Sequence, residues 1–238
     1  MIDFYFFHVG NETEQPQMLV NSILKTNVNC KIYQLTDKFT PIVKNIDDCY
    51  RYDCQNSKNI MKFRMEAYAR TNLNKNRFSI FLDTDMLVLK KLNLSQQFKN
   101  SDVVLCQREI NAHHSVNINY NDMDMKEYNG LTMGEVWPFL GCFIAVKDNI
   151  NLFKMNEIYN QLEDKYKYWY GDQTVLKKFA LDHPSLISIV SEKEYSDLPL
   201  NSTINPNAKI IHFKGQHKHL MKAVYKFFFE SEEFRKIS

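Results

Sequence analysis

Glycine and proline are scarce in this chain, 6 of each among 238 residues, and nowhere clustered. That excludes a Gly/Ser or Pro-rich linker, so residues 1–238 read as a single domain. Cysteine is sparse too: 5 residues, an odd number, with no C-x-x-C pair. Cys49 and Cys54 stand close together but lack a matching second pair, which argues against a zinc site. Without a dense framework, the thiols read as reduced and the protein as cytoplasmic. Neither sign of charge dominates, since 30 basic and 28 acidic residues leave a formal charge of +2. Nucleic acid is therefore not an expected partner. No apolar run reaches membrane-spanning length. The opening MIDFYFFHVG is too short and wrongly flanked for a signal peptide.

Hydrophobic and aromatic residues are plentiful, at 44% and 13%, enough for a sizeable core. The stretch around which the chain is organised is Phe78 to Lys90, FSIFLDTDMLVLK. Ser79 to Leu82 reads as a buried strand, and Met86 to Leu89 as a second apolar run after Asp83-Thr84-Asp85. In extended backbone, two acids two residues apart share a face and Thr84 points away. Their repulsion and desolvation are relieved by a divalent cation, and oxygen ligation suits Mg²⁺ or Mn²⁺. The plainer alternative is a surface turn between two strands, for which Asp and Thr are ordinary residues.

The rest of the chain supplies a context. Ile2 to Val9 predicts a buried first strand, Thr13 to Lys25 a helix striped by Leu19, Val20, Ile23 and Leu24, and Asn29 to Leu35 a second strand. This is a βαβ unit and predicts a parallel sheet, whose ligands sit beyond the carboxyl ends of the strands. The loop Gly10-Asn11-Glu12 is not a phosphate-loop fingerprint. Cys49 to Tyr52 is a candidate short strand. Ser57 is a candidate N-cap for a helix from Lys58 to Asn72. Val103 to Gln107 and Phe139 to Val146 read as strands, and Gly141 in the latter permits close approach of backbone or ligand. Residues 108 to 137 are polar and aperiodic. So long a loop is usually functional or mobile, with Tyr120, Tyr128 and Trp137 as candidate stacking platforms, Trp137 being equally a core candidate, and His113-His114 read as surface residues rather than ligands. Helices are expected over Asn151–Leu162 and Thr174–Leu181, the latter opened by Gly171-Asp172-Gln173 with Asp172 as N-cap. Strands are expected over Ile187–Val190 and Lys209–Phe213. An amphipathic helix from Leu220 to Ile237 is expected to pack on the domain, peripheral membrane contact being the minority alternative.

Four pieces therefore stand in order: a basic helix, the D-x-D strand, G-D-Q before a helix, and H-x-x-G-x-x-K near the end. Together they resemble the GT-A glycosyltransferases, and most closely the glycogenin-like and lipopolysaccharide galactosyltransferase group, family 8. FLDTDMLVL and HFKGQHK are the specific parts. The resemblance implies an α/β GT-A fold with a mixed, mostly parallel sheet. It also implies retaining hexosyl transfer from a nucleotide-sugar, usually a UDP-sugar, with Mn²⁺ or Mg²⁺, to a glycan, lipid-linked or protein acceptor. By motif, Asp83, Asp85 and His212 are the metal ligands it implies. Arg64, Asp83, Thr84, Gly215 and Lys218 are the donor-binding residues, and Asp172, Gln173 and Lys218 the catalytic ones. Two positions depart from the family pattern: His219-Leu220 follow the lysine where Pro-Trp is usual, and FLGCFIAV lacks an Asn-x-Gly start. The alternatives are a nucleotidyltransferase, which usually needs the phosphate loop missing here, and a non-catalytic nucleotide-sugar-binding module.

Overall fold

The structure is a computed structural model that describes residues 1–53, 59–117, 125–199 and 204–231. The first strand, β1 (Ile2–Phe7), is buried at its four central positions, three of them the aromatic run Phe4-Tyr5-Phe6 and the fourth Asp3. The helix α1 (Glu14–Thr26) carries the chain back to β2 (Lys31–Thr36), parallel to β1 as the spacing predicts. Pro16 sits in the first turn of α1, where backbone N–H groups have no acceptor within the helix. β3 (Asp48–Arg51) adds a further parallel strand.

The next helix, α2 (Ile60–Arg70), is capped by Asn59, whose side chain accepts from the Lys62 N–H at 3.0 Å. Asn59 therefore takes the capping role expected of Ser57, which lies with Lys58 outside the described residues. The helix stops at Thr71, where the backbone turns extended, rather than at Asn72. β4 (Phe78–Leu82) then runs parallel to β1. The second apolar run, β5 (Met86–Val88), leaves this sheet altogether. Thr84 and Asp85 form a turn between strands of two different sheets. This corrects the expectation of an extended D-x-D: the alternation of faces does not apply.

β6 (Val103–Gln107), α3 (Met133–Val136), β7 (Phe139–Val146), α4 (Ile150–Gln161), α5 (Gly171–Asp182), β8 (Ile187–Ser191) and α6 (Glu192–Tyr195) follow. The last described elements are β9 (Ile210–His212) and α7 (Met221–Phe229). The main sheet has seven strands in the order β3-β2-β1-β4-β7-β6-β8, and β5 pairs with β9 in a small second sheet. β7 is antiparallel to both neighbours, and the other pairings in the main sheet are parallel. The molecule is thus an α/β protein with a mixed, mostly parallel sheet flanked by helices, compatible with a Rossmann-like architecture.

Strand alternation divides the core. Phe4 and Phe6 pack with Leu19, Val20 and Ile23 of α1, whereas Tyr5 packs on the other face with α2, α4 and α5. α7 covers Leu87 and Ile211 with Met221 and Tyr225 and ends at Phe229; the expected extension to Ile237 runs beyond the described residues. No helix among the described residues is long and apolar enough to cross a membrane. Residues 108 to 137, read as an aperiodic loop, carry more structure than that. Ser115 bridges Thr132, α3 starts with a reciprocal Thr132–Glu135 capping box, and Val116, Met125, Val136 and Trp137 form a small core.

Candidate functional site

Because β1, β4 and β6 run in one direction, their carboxyl ends open onto one edge of the sheet, where α/β proteins bind ligands. A cavity of about 860 Å³ lies there. Its walls come from Phe7, His8 and Val9 after β1, from Arg64 of α2, and from the Asp83-Thr84-Asp85 turn. Gly141 of β7, the first turn of α5 and the segment after β9 complete it. Every residue assigned to the site from the sequence lines this cavity: Arg64, Asp83, Thr84, Asp85, Asp172, Gln173, His212, Gly215 and Lys218.

Pairing of β5 with β9 makes the centre. Met86 stands opposite His212, and the Phe213 N–H donates to the Asp85 carbonyl at 2.8 Å. Asp83, Asp85 and His212 each present a ligand atom, all within 4.8 Å of one another. His212 Nε2 is 3.3 Å from Asp85 Oδ1, and Lys218 Nζ is 3.1 Å from Asp85 Oδ2. On its far side, His212 Nδ1 is 3.3 Å from the Ser196 hydroxyl, which fixes the ring plane. Burial alone would raise Asp85, but hydrogen bonds and charge from His212 and Lys218 outweigh it and hold the carboxyl at about 2. Burial opposes a charged His212, yet the Cys142 sulfur and Asp85 prevail and push the ring up to about 10. Burial also raises Asp83, and Arg64 offsets part of that.

These groups fit a divalent cation. Two carboxylates and an imidazole form an oxygen-rich donor set, the ring has an outer hydrogen bond, and the cluster opens to the cavity. The proton on His212 and the Lys218 ammonium supply the positive charge that a cation would otherwise bring to Asp85.

Arg64 binds this cluster to α5. Its guanidinium donates to Asp83 Oδ1 at 2.8 Å, to the Gly141 carbonyl at 3.0 Å and to Asp172 Oδ2. Asp172 is 3% exposed and uses its other oxygen on the Gln173 N–H at 2.8 Å. It is not the N-cap expected from the sequence: Tyr170 holds that position, and the Asp172 side chain turns inward to Arg64. Gly141 makes this possible. A Cβ there would overlap the Asp172 carboxylate and stand 2.9 Å from Arg64 Nη2. The ladder is irregular at the same place: Leu105 faces Ile144 while Cys106 faces Leu140, so residues 141–143 bulge out of the β6 ladder. The Asp83 N–H takes up the freed Cys142 carbonyl at 3.2 Å. Gly215 has φ of +61°, a left-handed conformation, and opens the short 3₁₀ turn that carries Lys218.

Other site residues were not found from the sequence. Arg108 follows β6 and donates from Nε to the Trp137 carbonyl at 2.8 Å and from Nη2 to Gln173 Oε1. Lys214 reaches Glu192, which is fully buried and also accepts the Glu109 and Ile110 N–H groups at 2.6 and 2.8 Å. His8, 8% exposed, is lowered by burial. The carboxyl-end rule was a usable signal for Arg108, which follows a predicted strand, and for His8, which falls at the end of one; Glu192 carried none. Among the proposed platforms, Trp137 belongs to the core at 2% exposure, stacked on Tyr170, and Tyr128 packs edge-on against it. Tyr120 lies outside the described residues. The exposed aromatic at the cavity is Trp169. His113 and His114 are exposed, as expected, and His114 reaches the cavity wall.

No protein-family profile matches this chain, and a search of curated proteins finds no significant relative.

Proposed function

We propose that the protein is a metal-dependent glycosyltransferase of GT-A type, moving a hexosyl unit from a nucleotide-sugar, a UDP-sugar by the motif resemblance, to a glycan, lipid-linked or protein acceptor. The observation that carries the reading is the convergence of Asp83, Asp85 and His212 within 4.8 Å, beside Lys218, at the carboxyl edge of the sheet. The D-x-D and H-x-x-G-x-x-K motifs are 127 residues apart, counted from Asp85 to His212, and meet only because β5 pairs with β9.

Glycosyl transfer breaks the bond between the anomeric carbon and a phosphate oxygen, and negative charge gathers on the leaving diphosphate. Asp83, Asp85 and His212 would hold Mn²⁺ or Mg²⁺, which would supply Lewis-acid stabilisation of that charge. Lys218 adds a cation on the same side, and its short turn starts at Gly215. Arg64 fixes the Asp83 carboxylate against Gly141 and Asp172, so the ligand set is held before substrate arrives. Asp172 spends both oxygens on protein and works as a positioning residue. Gln173 keeps its amide nitrogen for the sugar. Retention is what the motif resemblance implies, and no unpaired carboxylate stands in the described cavity wall as a nucleophile for a covalent intermediate.

The test is release of UDP from a panel of UDP-sugars, with Mn²⁺ and with chelator. Mn²⁺-dependent release that Asp85→Asn abolishes supports the reading. Binding of UDP and Mn²⁺ without release from any UDP-sugar identifies a binding module. Absence of both overturns the assignment.

A further inference from the structure

Every lysine or arginine on the cavity wall has a carboxylate partner except one. Arg64 pairs with Asp83 and Asp172, Lys214 with Glu192 and Lys218 with Asp85. Arg108 has no carboxylate within 4.0 Å among the described residues, although it is only 7% exposed. Its two acceptors, the Trp137 carbonyl and Gln173 Oε1, are both neutral. Among the described residues Nη1 has no hydrogen-bond partner, and it is not sealed from solvent. Burial lowers the guanidinium's proton affinity, and Glu192 opposes this only through space. A charge enclosed this far without a counter-ion is costly, and an anion that completes the pair relieves the cost.

Position narrows the anion. Arg108 follows β6 and the metal-ligand turn follows β4, with β7 between them. Two strand spacings amount to about 10 Å. If the diphosphate lies against Asp85, His212 and Lys218, the sugar occupies the space beyond it, toward Gln173 and Arg108. Gln173 gives its carbonyl oxygen to Arg108, and its amide N–H₂ has no partner among the described residues. Nη1 and that amide are two donors from adjoining side chains left for a ligand, and the paired oxygens of a carboxylate can accept from both. Few common sugars carry an ionised group, and the uronic acids carry a carboxylate.

We infer that Arg108 recognises a carboxylate on the sugar held at the Gln173 end of the cavity, so that the site takes a hexuronate in preference to a neutral hexose. This rests on the glycosyltransferase reading and names its substrate class. The carboxylate belongs either to the donor sugar or to the acceptor's terminal residue.

Calorimetric titration with Mn²⁺ present separates these sources. One arm compares UDP-glucuronate and UDP-galacturonate with UDP-glucose and UDP-galactose. The other adds free glucuronate or glucose to protein saturated with UDP and Mn²⁺. The expected result is a preference for the acidic sugar of about ten- to a hundredfold in one arm. Arg108→Gln removes the preference, and Arg108→Lys, which keeps charge but loses the fork, retains part of it. The ratio is the readout, because a general loss of folding or of nucleotide binding lowers both members alike. Equal binding of acidic and neutral sugars by the wild type in both arms, or a preference that survives in Arg108→Gln, overturns the inference while UDP binding upholds the parent reading. Failure of the wild type to bind UDP with Mn²⁺ overturns both.

Discussion

Two buried arginine–carboxylate clusters sit at opposite edges of the same sheet. At the amino edge, Arg77 contacts Asp3, which is fully buried, and Arg77 Nη2 donates to the carbonyls of Ile2 and Asn29 at 3.1 and 3.0 Å. One carboxylate meets one guanidinium there, and Nη2 closes on backbone. At the carboxyl edge, Arg64 is shared between Asp83 and Asp172, Asp85 draws on His212 and Lys218, and Arg108 has no acidic partner among the described residues. Those groups line a cavity of about 860 Å³. Burial of charge is therefore not itself the mark of a site. The first cluster is a single ion pair closed off from solvent, whereas the second is shared among several charges and open to the cavity.

The strongest way to break the comparison is Arg77→Met. Asp3 would stay buried without its counter-ion, at a cost of about 3–5 kcal/mol in denaturant unfolding. Adding Asp3→Asn should recover most of the loss, and the folded fraction should bind UDP with Mn²⁺ as before. Gly141→Ala should cost less, about 1–3 kcal/mol from the overlap with Asp172 and Arg64. Unlike the Arg77 change it should also remove metal-dependent nucleotide binding. If Gly141→Ala bound normally, the Arg64–Asp172 link would have no bearing on the ligand set.

Asp85→Asn keeps shape and removes a ligand charge. Titration should show Mn²⁺-dependent UDP affinity falling at least about tenfold, with a smaller stability loss than in Arg77→Met. His212→Ala should act in the same direction. The site should also respond to pH in a way that the sealed pair does not. His212 is raised to about 10, so its protonation stabilises the metal-free fold fully below pH 6.5, and that contribution is lost as pH climbs through about 10. Asp85 is lowered to about 2, so its contribution is present above about pH 4 and lost as pH falls through about 2. The metal-free melting temperature should thus drift downward between pH 7 and 10. Mn²⁺ should flatten that drift, and its binding at pH 7 should release about one proton, measured by calorimetry in buffers of different ionisation enthalpy. The smallest effect on stability is expected for Lys218→Ala. Its side chain is 49% exposed, so its bridge to Asp85 contributes about 0–1 kcal/mol. Turnover should fall more than metal binding does.

Much of the fold was legible in the sequence because it rests on short-range pattern. The run IDFYFF, the stripe of α1 and the strand FLGCFIAV each announce their element by period and length. The candidate ligands Asp83, Asp85 and His212 were legible as motif residues. Their meeting was not, because it depends on β5 leaving the main sheet to pair with β9. The same limit explains Asp172. A local rule makes it a cap, but Gly141, 31 residues earlier, clears the space that lets it reach Arg64. Arg108 and Glu192 acquire their roles only from neighbours brought by the sheet order, and no spacing along the chain encodes that.

The central claim is that Asp83, Asp85 and His212 hold a cation that completes a nucleotide-diphosphate site. Thermal unfolding of the wild type with UDP alone, Mn²⁺ alone and both, with GDP and CDP as controls, tests it most directly. The account predicts a rise in melting temperature that needs UDP and Mn²⁺ together and is absent from Asp85→Asn. A UDP shift indifferent to chelator, or a joint shift that persists in Asp85→Asn, would contradict it.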